Sequence, residues 1–201
     1  MNNKTRGAGR PREFDETEVL SKLMEVFWSR GFDGTSMSDL VAAAGVQKAS
    51  LYAAYGDKRS IYLKTLSSYD DRLVAAIRDV LCGVGTARDR FTRLFCGGID
   101  RAASGDLRGC FLCSAAADQA EIDPRAGEIV RDGLNRLESL FSDVLAGPFA
   151  DDTARASAAR HLLAVYVGLQ SLARAGYPSQ SLISVLHAAI DSIPLEGTLG
   201  D

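Results

Sequence analysis

Two cysteines three residues apart, Cys110 and Cys113, are the side chains in this 201-residue sequence with the clearest potential for chemistry. Positions three apart on a helix lie on one face, so the two thiols would respond to oxidants or electrophiles as a pair. Arg108 and a position near the start of a helix would both lower a thiol pKa. The pair is therefore a candidate redox sensor, and the alternative is two buried, inert thiols.

The other groups that often do chemistry form no recognisable site. Four cysteines and two histidines make neither a disulfide framework nor a zinc-binding set. A thiol oxidoreductase normally has a sheet-containing fold, and no strands are evident in this sequence. There is also no acid-base cluster and no phosphate-binding glycine loop. We therefore expect no enzyme activity, no metal and no cofactor.

Charge is distributed unevenly along the chain, although the net charge is only −3. Residues 1–64 contain ten Lys and Arg against eight Asp and Glu, whereas residues 65–201 contain thirteen against eighteen. The first twelve residues carry four positive charges and no negative charge. Residues 1–12 are therefore expected to be a flexible basic arm that suits DNA, with a solubilising tail as the alternative.

The elements that must position these groups are all predicted to be helices. Apolar residues recur at spacings of three and four without sustained alternation, which predicts an all-α fold. Asp15 with Glu18 as a capping box, and Asp123 before Pro124, are the clearest helix starts. About nine helices are expected, over residues 15–30, 35–45, 47–54, 57–81, 86–103, 106–120, 124–146, 152–175 and 179–193.

Two of the short helices flank a tight turn at Gly45, which suggests a helix-turn-helix, although many all-α proteins contain such corners. The residues from Gly45 to Lys58, GVQKASLYAAYGDK, strongly resemble the DNA-binding signature of the tetracycline-repressor (TetR) family. The resemblance extends over residues 10–66. It also includes Gly9-Arg10-Pro11-Arg12, Phe27, Gly31-Phe32, Thr35-Ser36 and Ala42 to Gly45.

The resemblance implies a ligand-responsive regulator with two domains. A helix-turn-helix DNA-binding domain is expected over residues 13–56, and a helical ligand-binding and dimerisation domain over residues 57–201. The implied protein is a homodimeric repressor that releases a palindromic operator when an effector binds. A thiol-based sensor using Cys110 and Cys113 is one alternative, and a helical protein-binding adaptor without DNA binding is another.

The predicted recognition helix has two different faces. At 100° per residue, Leu51 and Tyr55 share a face that belongs to the core, whereas Lys48, Ala49, Tyr52 and Ala53 share another. The resemblance implies that Tyr52 meets a phosphate and that Lys48 and Lys58 face the DNA backbone. The predicted DNA-binding residues are Thr35, Ser36, Gln47, Lys48, Ala49, Ser50, Tyr52, Ala53 and Lys58.

These residues have distinct expected roles. Thr35 and Ser36 offer hydroxyls and amides at a helix start to a phosphate, and helix capping alone is compatible with this. Gln47, Lys48, Ala49 and Ala53 would read bases. Two departures from the family pattern leave the operator sequence open: Gln47 replaces a small hydroxyl residue, and Ala53-Ala54 replace larger ones.

The predicted helix over residues 152–175 is apolar on more than one face, which requires more than one packing partner, and the last predicted helix adds further apolar residues. This pattern resembles the family's dimer interface, a four-helix bundle with two helices from each subunit. The alternative is a fully buried central helix of a monomer. The predicted interface residues are Leu162, Val165, Leu169, Leu172, Leu182, Val185, Leu186 and Ala189.

An effector cavity among the middle helices is a further implication of the resemblance. An aromatic stripe is more often plain core, and no charge cluster indicates a charged ligand, so a small, largely apolar or aromatic effector is expected. The candidate lining residues are Phe91, Phe95, Phe111, Cys113, Leu137, Phe141, Tyr166 and Gln170. Because the sequence shows neither a membrane span nor a signal peptide, we expect a cytoplasmic protein.

Overall fold

The computed structural model describes residues 15–195, which form nine α-helices and no strand. The all-α prediction is confirmed, while the basic arm predicted over residues 1–12 lies outside the described residues. The helices are α1 (Glu16–Arg30), α2 (Met37–Ala44), α3 (Lys48–Tyr55), α4 (Lys58–Leu81), α5 (Ala87–Ala103), α6 (Phe111–Asp118), α7 (Pro124–Leu145), α8 (Asp152–Arg174) and α9 (Ser179–Asp191).

Side-chain caps begin most of these helices where the sequence predicts them. Asp15 accepts a hydrogen bond from the Thr17 amide at 2.8 Å, and Asp123 accepts one from the Arg125 amide at 2.9 Å. These carboxylates satisfy amides that have no partner within the helix. The capping box predicted at α1 is incomplete, because Glu18 pairs with Lys22 at 2.7 Å.

The start of α6 differs from the prediction. The helix was expected from residue 106, but it begins at Phe111, and Cys110 is its N-cap. Gly105 and Gly109 adopt φ values of 96° and 67°, which other residues rarely adopt, so the chain turns in a loop before the helix. Cys110 and Cys113 are therefore an N-cap and a first-turn residue.

Two hydrophobic cores divide the described part of the chain, and α4 contributes to both. The first core joins α1, α2 and α3 to the first half of α4, to α6 and to the start of α7. The second core joins the remainder of α4 and α7 to α5, α8 and α9. A displacement of α4 would therefore be felt in both cores, because packed interiors leave little free space.

None of the helices between residues 15 and 195 is both long enough and apolar enough to cross a membrane.

Candidate functional site

The helix α3 is anchored by the face that the sequence assigns to the core. Leu51 and Tyr55 are buried, and the Tyr55 hydroxyl donates a hydrogen bond to the Glu16 carbonyl at 3.0 Å. This bond joins α3 to the start of α1. The buried position predicted for Tyr55 is confirmed, and the anchoring fixes which side of α3 faces outward.

The opposite face of α3 is open to solvent. Lys48, Ala49 and Ala53 are exposed, and Tyr52 retains 40% of its accessible surface. The Lys48 ammonium lies 5.9 Å from the centre of the Tyr52 ring, within the range of a cation–π contact. A cationic group and a phenol hydroxyl therefore stand side by side on one exposed helix face.

The amino-terminal end of α3 lacks the usual side-chain cap. Gln47 is the N-cap residue, with extended backbone, and its side chain makes no capping hydrogen bond. It is exposed next to Lys48, whereas Ser50 is half-buried. The first amides of α3 are consequently available to an external acceptor such as a phosphate oxygen.

The start of α2 uses the two predicted hydroxyls in different ways. Ser36 is exposed and forms a complete capping box with Asp39, whose pKa is lowered by the hydrogen bonds from Ser36. Thr35 is only 2% exposed, and its hydroxyl donates to the Gly31 carbonyl at 2.7 Å. Of the two residues, only Ser36 is presented at the surface.

Lys58 lies at the first position of α4, close to the end of α1. Its ammonium sits 4.3 Å from the centre of the Phe32 ring. Asp57, which precedes it, caps α4 through the Ser60 amide at 2.7 Å. The lysine is half-buried and held by the aromatic ring, so its charge has a defined position next to the helix start.

The predicted effector residues fall into two separate groups. Phe91 meets Phe141 edge-on at 5.3 Å, and Tyr166 lies 6.4 Å from Phe95 and 6.5 Å from Phe141. Leu137 is fully buried in the same second core. Phe111 is instead part of the first core, so it does not join the others around one space.

A cavity of about 180 Å³ lies between α4, α5 and α8, beside this aromatic group. Two of the predicted residues line it, Tyr166 and Gln170. Gln170 is 7% exposed, so its side-chain amide is a nearly buried polar group in the wall of the cavity. The remaining lining residues are Leu73, Ala76, Ile77, Val80, Arg93, Leu94, Gly97, Gly98 and Arg101.

Sequence reasoning missed most of this lining, although one signal was present. Arg93, Gly97 and Arg101 are spaced by four and therefore share one face of α5. The glycines leave this part of α5 without side chains, which lets Gln170 approach closely. A Cβ placed on Gly98 would lie 2.9 Å from the Gln170 side-chain nitrogen. Two arginines on either side of glycines, on an otherwise amphipathic helix, indicate a cavity rather than a tightly packed helix contact.

Two basic side chains connect the second half of the chain to the first. Arg59 binds Asp123 through two hydrogen bonds of 2.6 and 2.8 Å, which joins α4 to the start of α7. Arg108 binds Glu25 and lies 4.2 Å from the Trp28 ring centre, which joins the loop before α6 to α1. These contacts hold the start of α7 against α4 and the loop before α6 against α1.

The outward faces of α8 and α9 carry only part of the predicted dimer interface. Leu162, Leu182 and Leu186 are completely buried within the protomer, and Leu169 and Ala189 are 5% exposed. The remaining three are more accessible: Val185 is 42% exposed, and Val165 and Leu172 are half-buried. The buried leucines pack in the protomer's own core, so they are not available to a partner.

No group of three or more His, Cys, Asp or Glu side chains arranged to hold a metal ion occurs within residues 15–195.

Comparison with known proteins agrees with this geometry. A family model described as bacterial regulatory proteins, tetR family, matches residues 19–65, which contain α2 and α3. The uncharacterized HTH-type transcriptional regulator YezE of Bacillus subtilis (strain 168) is 31% identical over 134 residues, 66% of this chain and 69% of YezE. The HTH-type transcriptional repressor BdcR of Escherichia coli (strain K12) is 25% identical over 198 residues, 94% of each chain.

A solved structure extends the similarity to the whole fold. The TetR family transcriptional regulator CifR, as a cysteine mutant complexed with 26bp double-strand operator DNA, is 30% identical to this chain, with a TM-score of 0.80. The match covers 92% of this chain and 100% of CifR. The anchored α3 with its exposed basic face is thus part of a shared architecture, and the chain belongs to the TetR family of transcriptional regulators.

Proposed function

We propose that this regulator is a repressor that binds a near-palindromic DNA operator as a homodimer and releases it when a small effector enters the α4/α5/α8 cavity. The observation that carries the proposal is the two-faced α3, buried at Leu51 and Tyr55 and exposed at Lys48 and Tyr52. Similarity to BdcR, named a repressor, and to CifR, solved with operator DNA, supports it.

The proposed DNA surface has a phosphate-binding part and a base-reading part. Ser36, Lys48, Tyr52 and Lys58 supply hydroxyls and ammonium groups for the backbone. Gln47, Ala49 and Ala53 are exposed on α3, where an amide can pair with adenine and methyl groups can contact thymine. We leave Thr35 out, because it is only 2% exposed, whereas Ser36 is at the surface.

The proposed dimer interface is the outward surface of α8 and α9. Residues 161–173 and 179–190 contain no Lys, Arg, Asp or Glu, although many of them are exposed. An uncharged, partly apolar surface of this kind is typical of a protein interface. Two subunits joined here would form a four-helix bundle and present two copies of α3 to successive major grooves.

The proposed effector site uses Gln170 as its polar contact. Its side-chain amide can both donate and accept hydrogen bonds, so it would orient a ligand that carries a hydrogen-bonding group. The surrounding wall is mainly aliphatic, and Arg93 and Arg101 also line the site. A small, largely apolar molecule with one polar or anionic group fits this environment.

The helix α4 is the proposed connection between effector and DNA. Leu73, Ala76, Ile77 and Val80 line the cavity, while the first half of the same helix shares the first core with α1, α2 and α3. We propose a DNA-binding domain over residues 13–56 and a regulatory domain over residues 57–201, with α4 shared between their cores. A ligand that displaces α4 would change the spacing of the two α3 helices.

The test is selection of genome fragments by the purified dimer, followed by salt titration of the recovered duplex with a Lys48→Ala, Tyr52→Phe variant. We expect an inverted repeat and a log affinity that falls linearly with log salt, less steeply in the variant. Arg155→Ala, which removes an arginine from the remote α8, is the charge-matched control and should not change the slope. Recovery of no duplex would overturn the proposal and favour a protein-binding adaptor.

A further inference from the structure

The sulfur of Cys110 lies at a joint between the two halves of the molecule. Cys110 is the N-cap of α6 and is 2% exposed, and although its side chain makes no capping hydrogen bond, this position places the sulfur beside the Leu112 and Cys113 amides. The Tyr69 hydroxyl from α4 and the Tyr166 hydroxyl from α8 also interact with this thiol. Four groups that stabilise negative charge thus converge on one buried sulfur.

This environment favours the thiolate. Burial alone would raise the pKa of Cys110, but interactions with the Cys113 thiol, the Cys113 and Leu112 amides and the Tyr69 hydroxyl lower it below the ordinary value. The thiolate is the reactive form of cysteine towards oxidants. An inert core cysteine would instead show a pKa raised by its apolar surroundings.

Cys113 supplies the second thiol. It lies in the first turn of α6, is half-buried and packs against both cores. Proximity to Cys110 and burial both raise the pKa of Cys113, so this thiol keeps its proton. A thiolate at a helix start with a protonated partner three residues later is the arrangement that forms disulfides by attack and resolution.

Tyr166 is a neighbour of both the α4/α5/α8 cavity and this sulfur. Tyr166 lines the α4/α5/α8 cavity, and its hydroxyl interacts with Cys110. The backbone of α8 also lies close to the residue before Cys110. A Cβ placed on Gly109 would lie 2.9 Å from the Gln170 carbonyl oxygen. Movement of the Tyr166 side chain would open the cavity towards the thiol.

Phe111, between the two cysteines, connects them to the first half of α4. Its ring meets Tyr62 edge-on at 5.8 Å and Tyr69 at 5.6 Å. Cys110 is an N-cap with extended backbone and Cys113 lies in the first helical turn, and a disulfide would hold their Cβ atoms about 3.8 Å apart. Closing the bond would lock this first turn and change how Phe111, which lies between the two cysteines, packs against α4.

We propose that Cys110 and Cys113 form a reversible intramolecular disulfide in response to small hydroperoxides, and that this disulfide releases DNA. The Cys110 thiolate attacks the peroxide; with one proton taken up, this gives a sulfenic acid and an alcohol or water. The Cys113 thiol displaces the hydroxyl from that sulfur, which forms the S–S bond and releases water. The net change is a two-electron oxidation of two thiols and reduction of the peroxide. Its DNA readout rests on the function proposed above.

The experiment uses a Cys82→Ser, Cys96→Ser background, in which Cys110 and Cys113 are the remaining cysteines. The reduced dimer is treated with tert-butyl hydroperoxide, then its intact mass and its affinity for the selected duplex are measured. We expect the loss of two hydrogen atoms and an affinity lower by about 5–150-fold, the usual range for allosteric coupling. Both changes should reverse with dithiothreitol.

Further variants separate the chemistry from the DNA response. Cys113→Ser should stop at a sulfenic acid, which dimedone traps, and Tyr69→Phe should slow oxidation while leaving both sulfurs in place. Two unchanged thiols after peroxide treatment, or an oxidised Cys110 that never forms the disulfide, would overturn the inference. So would a disulfide with unchanged DNA affinity. Failure of the reduced protein to bind any duplex would instead refute the proposed repressor function.

Discussion

Asp70 is a buried carboxylate at the contact between α4 and α7, with only one of its oxygens paired. Arg136 donates to one oxygen, while the other has no hydrogen-bond partner within residues 15–195. Burial raises the pKa of Asp70 and outweighs the opposing interaction with Arg136. The folded state therefore holds this proton more tightly than the unfolded chain does.

The raised pKa of Asp70 in the folded state predicts that the free energy of unfolding depends on pH. Because the folded-state pKa of Asp70 is raised, its contribution is most favourable at low pH and declines as pH rises from about 4 through the raised value. Asp70→Asn removes that decline. The difference in unfolding free energy, variant minus wild type, should increase with pH across this window in urea titrations. Asp71→Asn, an exposed neighbour bound to the same arginine, is the matched control, and an equal increase there would refute the assignment.

At the scale of single elements, α3 is one of three described helices, with α6 and α9, that begin without a side-chain cap. Gln47 adopts φ −63° and ψ 142°, the extended conformation of an N-cap, without making the side-chain bond that this position allows. Gln47→Ser should supply that bond and raise the unfolding free energy by about 0.5–2 kcal/mol. Urea unfolding without DNA measures the gain, and Gln47→Ala is the control. Equal stability of the two variants would mean that α3 does not use a side-chain cap.

The faces of α3 were predictable from sequence, whereas the start of α6 was not. Leu51 and Tyr55 alternate with polar and small residues, so their burial follows from a period of 3.6. Asp106 is a plausible N-cap, but its carboxylate binds the Arg108 guanidinium at 2.7 and 2.9 Å. The loop before α6 is held by this ion pair and by two glycines with positive φ, and neither feature produces a periodic pattern of apolar residues in the sequence.

For a related reason, the sequence did not indicate which side of α8 and α9 faces the protomer's own core. Apolar residues surround α8, so periodicity cannot separate the protomer's core from a surface that a second subunit would cover. The structure buries Leu162 and Leu186 inside the protomer and leaves Val185 outside. The cavity was also difficult to predict. Gly97 and Gly98 make room for it because they have no side chains, and a search for apolar patterns does not detect missing side chains.

At the scale of the whole molecule, Gly168 tests whether the outward surface of α8 is the dimer interface. A Cβ placed on Gly168 meets no atom within 4 Å, so a larger side chain fits in the isolated protomer. Replacing a glycine inside a helix also removes a conformational-entropy cost of about 0.5–1 kcal/mol. A charge at this position should therefore leave the protomer folded while opposing close approach of a second α8.

Gly168→Glu is expected to give a helical monomer in analytical ultracentrifugation, with operator affinity reduced towards the non-specific level. The reason is geometric, because a palindrome with half-sites about 34–36 Å apart needs two linked copies of α3. Ala154→Glu, an exposed substitution in the first turn of the same helix, adds the same charge and should leave the dimer and its affinity unchanged. A Gly168→Glu protein that remains dimeric and holds the operator would place the interface elsewhere on the molecule.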